Sequence, residues 1–238
     1  AQQPSFRNDV LPILTKAGCN AGSCHGAAAG KNGFPLSLFG YDPERDHTML
    51  TRDLRGRRLD VADPDRSLML QKATARVPHK GGKRIDADGE LYNTLRSWIA
   101  AGACDDGATA PALTGIDIAP PQSELVLGAG DLALVVTAHY ADGSARDVST
   151  LAIWSSTNDG ALAVDGRGHA SSRGQGEAYV LARYGAFAVV AQVQVHADAN
   201  PFAWPTVHEH NFVDELVDQK LRRARVLPAE LCSDGVFV

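Results

Sequence analysis

The chain has 238 residues, 44% hydrophobic and 21% charged, the profile of an ordinary folded polypeptide spread over one to three domains. Its 23 basic residues are outnumbered by 28 acidic ones, and a net charge of −5 argues against a nucleic-acid or anionic-membrane surface. No apolar run approaches the ~20 residues of a membrane span, and four cysteines are too few to build a disulfide scaffold.

The sequence begins Ala1-Gln2-Gln3 without Met, a start expected of a mature N-terminus left after export or of an arbitrary boundary. Phe6, Val10, Ile13, Leu14 and Ala17 then recur at helical spacing, interrupted by Pro12 and ended by Gly18. The next seven residues, Cys19-Asn20-Ala21-Gly22-Ser23-Cys24-His25, are the stretch around which the chain is organised. Two thiols with a histidine directly after the second form a stretched version of the C-x-x-C-H haem-attachment signature. Each sulfur can add to one haem vinyl group, and the adjoining imidazole can serve as the proximal iron ligand. A four-residue spacer has to bulge outward, which Ala21, Gly22 and Ser23 are small enough to permit. On their own the same residues could instead form a Cys19–Cys24 disulfide, or give three ligands to zinc, although no second Cys/His pair at finger spacing supplies a fourth.

A small-residue loop over 26–33 follows, then Phe34, Leu36, Leu38 and Phe39 as a cofactor wall or plain core. Asp42-Pro43-Glu44 and Asp63-Pro64-Asp65 each predict an N-cap with proline in the first turn, for helices over 43–50 and 64–74. Between them lie Arg52, Arg55, Arg57 and Arg58. Arg57 and Arg58, together with Arg84, are candidate contacts for haem propionates; a solvated basic face is the plainer alternative. Pro78 and the Gly81-Gly82 pair predict a loop carrying His79. Asp88 then predicts the cap of a helix with Leu91, Leu95, Trp98 and Ile99 on one face and Gly102 after its end.

Residues 5–103 resemble the planctomycete-type cytochrome c domain family, in its branch with a four-residue spacer. The resemblance is carried by Val10-Leu11-Pro12-Ile13-Leu14, the Cys19/Cys24/His25 motif, Phe39-Gly40, Asp63-Pro64, Ser67-Leu68, Val77-Pro78-His79 with Gly81-Gly82, and Trp98-Ile99 with Gly102-Ala103. It implies an all-α cytochrome c-like domain with haem c bound through Cys19 and Cys24 and its iron held by His25. For the sixth iron position His47, Met49, Met69 and His79 are within plausible range. His79 is the expected distal ligand and Met69 the alternative, because the loop before the last helix carries His79 and no methionine.

Beyond residue 104 the composition turns to Asp, Gly, Ala, Thr and Pro, and then the hydrophobic period switches to two. Leu132, Leu134, Val136 and Ala138 alternate along one strand, and Asp142-Gly143 supplies a turn. Residues 114–196 resemble bacterial Ig-like domains of group 2 through Ile153-Trp154-Ser155-Ser156, Leu162-Ala163-Val164, the Gly166 turn, Gly174 to Gly176 with Glu177-Ala178, and Val193-Gln194-Val195. That resemblance implies an antiparallel sandwich used as a spacer or adhesion module, with Trp154 in its core. A helix is expected over 208–225. Asn211-Phe212-Val213-Asp214-Glu215-Leu216 and Leu231-Cys232-Ser233-Asp234 resemble the opening of a large uncharacterised domain of planctomycete proteins, expected here to be truncated.

The expected organisation is therefore multidomain: a cytochrome c-like haem domain over 1–103, a linker over 104–113, an all-β Ig-like domain over 114–196, a second linker over 197–206, and a short helical segment over 207–238. The leading functional expectation is an exported, periplasmic or cell-surface c-type cytochrome module for electron transfer, served by a redox partner and a downstream domain of the parent chain. One alternative is haem-based ligand binding or sensing with a labile sixth ligand. Another is a haem-free adhesion or scaffold protein with a Cys19–Cys24 disulfide or zinc site. No catalytic triad, phosphate loop or dinucleotide fingerprint is recognisable, so no catalytic residue is assigned and the chain is not read as an enzyme.

Overall fold

The computed structural model describes residues 3–230 and 232–237; Ala1, Gln2, Leu231 and Val238, which the sequence reading used at either end, lie outside the described residues. Helices come first in the chain: α1 Leu11–Lys16, α2 Pro43–Thr51, α3 Leu68–Ala73 and α4 Glu90–Ala100. Ten strands follow: β1 Leu113–Ala119, β2 Gln122–Val126, β3 Asp131–Ala133, β4 Val135–Tyr140, β5 Ala145–Asp147, β6 Ile153–Ser156, β7 Leu162–Val164, β8 His169–Ser172, β9 Gly176–Tyr184 and β10 Phe187–His196. The chain closes with α5 Phe212–Ala224 and α6 Asp234–Phe237. None of the described helices is long and apolar enough to cross a membrane.

The named elements of the first hundred residues are helices, as expected, but a cytochrome c-like fold for them is not supported. These helices are short pieces joined by turns, and the fold as a whole is β sheets with a few short helices. Proline and left-handed residues account for the fragmentation. Phe6–Val10 winds as a single wide turn before Pro12, within the first turn of α1, and Gly18 at φ 72 stops that helix. The helix expected over 64–74 is a tight turn at Pro64–Arg66 and then α3, because Ser67 between them is extended at ψ 125. Asp42 does cap α2, its carboxylate accepting from Arg45 N at 3.1 Å, but Gly89 and not Asp88 stands at the cap of α4.

Two compact units emerge. One gathers the chain up to Asp117 with Thr137–Ile153 and Arg183–Ala188; the other comprises Ile118–Val136, Trp154–Ala182 and the chain from Val189 onward. The first is built on Trp98, fully buried on α4. Its ring stacks on Phe6 at 5.4 Å and its indole N–H donates to Cys104 O at 2.9 Å. His47 completes this cluster edge-on to Phe6 at 5.0 Å, with its Nε2 bonded to Ala103 O at 2.8 Å. Around them Val10, Leu14, Leu50, Leu70, Leu95 and Ile99 form one core.

The second unit holds most of the sheets ordered β2-β10-β9-β6 and β3-β8-β7, while the sheet ordered β1-β4-β5 belongs largely to the first. Side chains of β7, β8, β9 and β10, Leu162, Ala170, Ala178, Val180, Val193 and Val195 among them, share a single fully buried cluster. Small aliphatic residues let facing sheets approach closely. The run of alternating residues read as one strand is split at Leu134 between β3 and β4, yet Leu134, Val136, Ala138 and Tyr140 all stay buried, as a period of two demands. The sheets are not wholly antiparallel: β2 joins β10 in parallel, Gln122 opposite Gln192. Gly168 is required at φ 90, where a Cβ would stand 2.6 Å from both Leu134 O and the Trp154 ring.

Truncating the Trp98 ring tests which core the first unit depends on. Trp98→Ala should cost about 3–5 kcal/mol in urea unfolding, whereas Tyr41→Ala, at a residue 72% exposed, should change stability by no more than about 0.5 kcal/mol.

Candidate functional site

A cavity of about 380 Å³ opens in the first unit, within the size range of small-molecule pockets. Ile13, Leu14, Leu36, Leu50, Met69 and Leu95 contribute its apolar wall. The chemistry-bearing residues of the sequence motif converge on it: Cys19, Cys24, His25 and His79 all line the cavity. So do Arg57, Arg58 and Arg84, with Lys31, Lys72 and Lys80, and no carboxylate is among the lining residues. In a chain of net charge −5 that local excess of cations makes the mouth attractive to anionic groups.

The Cys19–His25 stretch is held by its own backbone. Cys19 N donates to Leu14 O at 2.8 Å, off the end of α1; Cys24 N donates to Ala21 O at 2.9 Å; and His25 N reaches back to Cys19 O at 2.9 Å. The seven-residue span is thereby closed into a loop whose two ends are adjacent. Asn20 inside it is wholly buried, its side chain donating to Thr15 Oγ1 at 2.9 Å. Both cysteines are free, with no Cys19–Cys24 disulfide formed, and among the described residues no group of three or more His, Cys, Asp or Glu is placed to hold a metal.

Burial pushes the Cys19 thiol up to about 11, against a downward pull from Arg84, so at neutral pH it is a protonated, weakly nucleophilic thiol. Arg84 Nη2 lies 3.9 Å from Cys24 Sγ. His25 Nδ1 is 3.0 Å from Phe34 O; a carbonyl can only accept, so the neutral ring carries its proton on Nδ1 and leaves Nε2 as a bare lone pair. His79 repeats the arrangement with Gly82 O at 2.9 Å. The His25 pKa is lowered, chiefly by burial and further by the charges of His79, Arg58 and Lys31, while the bond to Phe34 O opposes the shift.

Of the other candidate iron ligands, Met69 lines the cavity, His47 is occupied by Ala103 O and the Phe6–Trp98 cluster, and Met49 packs against the core. Several residues that shape the site carried no signal by type. Phe34 serves through its carbonyl, and Gly30, at φ 60, is where a Cβ would stand 2.2 Å from that same oxygen. Gly81 likewise leaves room for the His79 ring, 2.8 Å from where a Cβ would stand. The glycine-rich loop was legible, but its targets were not.

No family model matches the chain, and no curated protein matches it. Solved structures with some likeness include domains 5-6 of the S-layer protein SbsC, at 17% identity over 40% of this chain and 49% of that one, with a TM-score of 0.32. The longer rSbsC(31-844) structure matches at 17% identity over 40% of this chain and 14% of that one, TM-score 0.32. SbsC domains 4 and 5 match at 19% over 37% of this chain and 54% of that one, TM-score 0.26. The chain thus spans about half or less of these structures, and at such scores the likeness assigns neither family nor activity. The sequence reading is corrected accordingly: no family model and no curated protein supports the planctomycete-type cytochrome c or group 2 Ig-like resemblance, and the electron-transfer function built on the former is withdrawn.

The His25 environment makes a pH prediction. The folded state disfavours a proton that the unfolded chain accepts near pH ~6.5, so the unfolded state binds more protons and stability falls as pH drops through that value. Urea midpoints should decline between pH 7 and pH 5 more steeply for the native sequence than for His25→Gln; equal slopes would remove His25 as a contributor.

Proposed function

We propose that the chain is an exported or cell-surface scaffold, in which the β-rich unit is a sandwich-type spacer and the helical part is a ligand-carrying module. The observation that carries the scaffold reading is the shared interior of the β-rich unit, where small aliphatic side chains from facing sheets are fully buried together. Such a core supports a self-standing domain without cofactor or disulfide.

A second reading, about the module's cargo, is favoured by a separate observation: two thiols and two imidazoles, each with its Nδ1 against a backbone carbonyl, belong to residues lining one apolar, cation-rimmed cavity. In this reading the cargo is haem c, which supplies a redox-active or ligand-binding iron when present. Cys19 and Cys24 would hold the macrocycle, His25 and either His79 or Met69 would reach its metal, and Arg57, Arg58 and Arg84 would face its carboxylates. The donor set suits that group: sulfur for covalent attachment, neutral imidazole for iron, and guanidinium for acid groups. The cargo reading restores neither the family membership nor electron transfer.

One preparation tests both readings. Expressed behind an export signal in a host with haem-attachment machinery, the chain should be cleaved by protease added to intact cells, and its intact mass should exceed that of the bare chain by one haem. Cys19→Ala/Cys24→Ala should lose the added mass while the β-rich unit keeps its protease resistance. Retention inside the cell would overturn the scaffold reading; a bare mass for the unmutated chain would overturn the haem reading.

A further inference from the structure

Arg58 lines the cavity, yet most of its guanidinium is committed to protein partners. It is 6% exposed, and three of its five N–H groups have protein partners: Nη1 donates to Met49 O at 2.9 Å and Asp53 O at 3.2 Å, and Nη2 pairs with Asp53 Oδ2 at 2.8 Å. Its Cζ stands 4.0 Å over the Phe34 ring, a cation–π contact made where little water competes. Phe34 in turn touches His25 twice: ring centroids 4.7 Å apart, and the Phe34 carbonyl accepting from Nδ1 at 3.0 Å. A continuous relay therefore runs from the Asp53 carboxylate through Arg58 and Phe34 to the imidazole.

The far end of the relay is anchored in backbone that has little choice. Leu54, Arg55 and Gly56 are left-handed in succession, at φ 51, 62 and 69, and two of them are not glycine. The arginine binds carbonyls on both sides of that turn's start, Met49 O from α2 and Asp53 O from the turn itself. It thus fastens the left-handed turn to the helix end and presses a charged plane on the back of Phe34.

We infer that Arg58 is a positioning residue for His25, acting through Phe34 so that the imidazole is held in one tautomer with Nε2 available to the pocket. The inference rests on the reading that His25 is the pocket's ligating imidazole. It gives Arg58 a task beyond the carboxylate contact expected from its charge. Groups that hold the far nitrogen and the ring plane in this way fix the orientation and proton placement of ligating histidines.

The test uses the whole 238-residue chain, uniformly labelled with nitrogen-15, at pH 8, where the imidazole is neutral. Side-chain proton–nitrogen correlation spectra separate the two tautomers by nitrogen shift. The native sequence should show His25 as the Nδ1–H tautomer alone. Arg58→Met, which keeps volume and removes charge, should give averaged nitrogen shifts and loss of the slowly exchanging Nδ1 proton, and Arg58→Lys should restore part of the native signature. Phe34→Leu keeps the accepting carbonyl and removes the ring; it should reproduce the Arg58→Met spectrum, and the double variant should be no worse than either alone. A folded Arg58→Met that keeps the native His25 signature overturns the inference. If Arg58→Met fails to fold, Phe34→Leu decides it, an unchanged tautomer counting against. Mixed tautomers already in the native sequence would instead overturn the His25 reading on which the inference rests.

Discussion

The hydrogen bond from His25 N to Cys19 O, 2.9 Å long, is the constraint on which the site depends. Without it a seven-residue stretch containing Gly22 would sample many conformations, and ordering it for a ligand would cost backbone entropy of roughly 1–2 kcal/mol per residue. With it, and with Cys19 N anchored to Leu14 O, the motif is ordered as an extension of α1. Gly26 pays in full for the closure, since a Cβ there would stand 2.0 Å from Asn20 O. The next link, Leu36 N to His25 O at 2.7 Å, carries the order into the core at Leu36. Backbone geometry therefore presents the thiols and imidazole to the cavity, and the hydrophobic cluster around Trp98 fixes that geometry in place.

The two units are stabilised differently. The first relies on large side chains, Trp98, Phe6 and Tyr92 among them, packed where short helices and turns leave irregular spaces. Polar bonds from buried groups finish it: the indole of Trp98 to Cys104 O, His47 to Ala103 O, and the Asp46 carboxylate accepting from Ser37 N and Oγ at 2.6 Å each. The second unit has Ala and Val where the first has aromatics, and gains its order from ladders such as Leu162 opposite Ser172 and Leu132 opposite Ala170.

Periodicity was the readable part of the sequence. Strand alternation at 132–140 survives in burial even though the run is divided at Leu134, because side-chain direction follows the backbone period whichever sheet a strand joins. Capping by Asp42 was legible for the same local reason. Long-range choices were not. Nothing local says that β2 would pair in parallel with β10, or that Ser67 would cut the helix expected from Pro64. At the site, residue type pointed to Cys19, Cys24, His25 and His79 as a set, and all four line one cavity. What escaped was the support, since the Phe34 carbonyl, the Gly30 clearance and the Asp53–Arg58 clamp act through shape and backbone. Extending the same motif into a cytochrome family and an electron-transfer function went beyond what the fold and the comparisons sustain.

The most direct test of the account is the rate at which each cysteine is alkylated in the native chain, followed by peptide mass spectrometry. Cys19 is pushed up to about 11 and Cys24 is buried, whereas Cys104 and Cys232 are exposed. At pH 7.5 and low reagent, Cys104 and Cys232 should be modified promptly and Cys19 and Cys24 at least tenfold more slowly, the difference vanishing in urea. Alkylation of Cys19 and Cys24 as fast as Cys104 in the folded protein would mean that the loop does not turn its thiols into the cavity, and the account would fail.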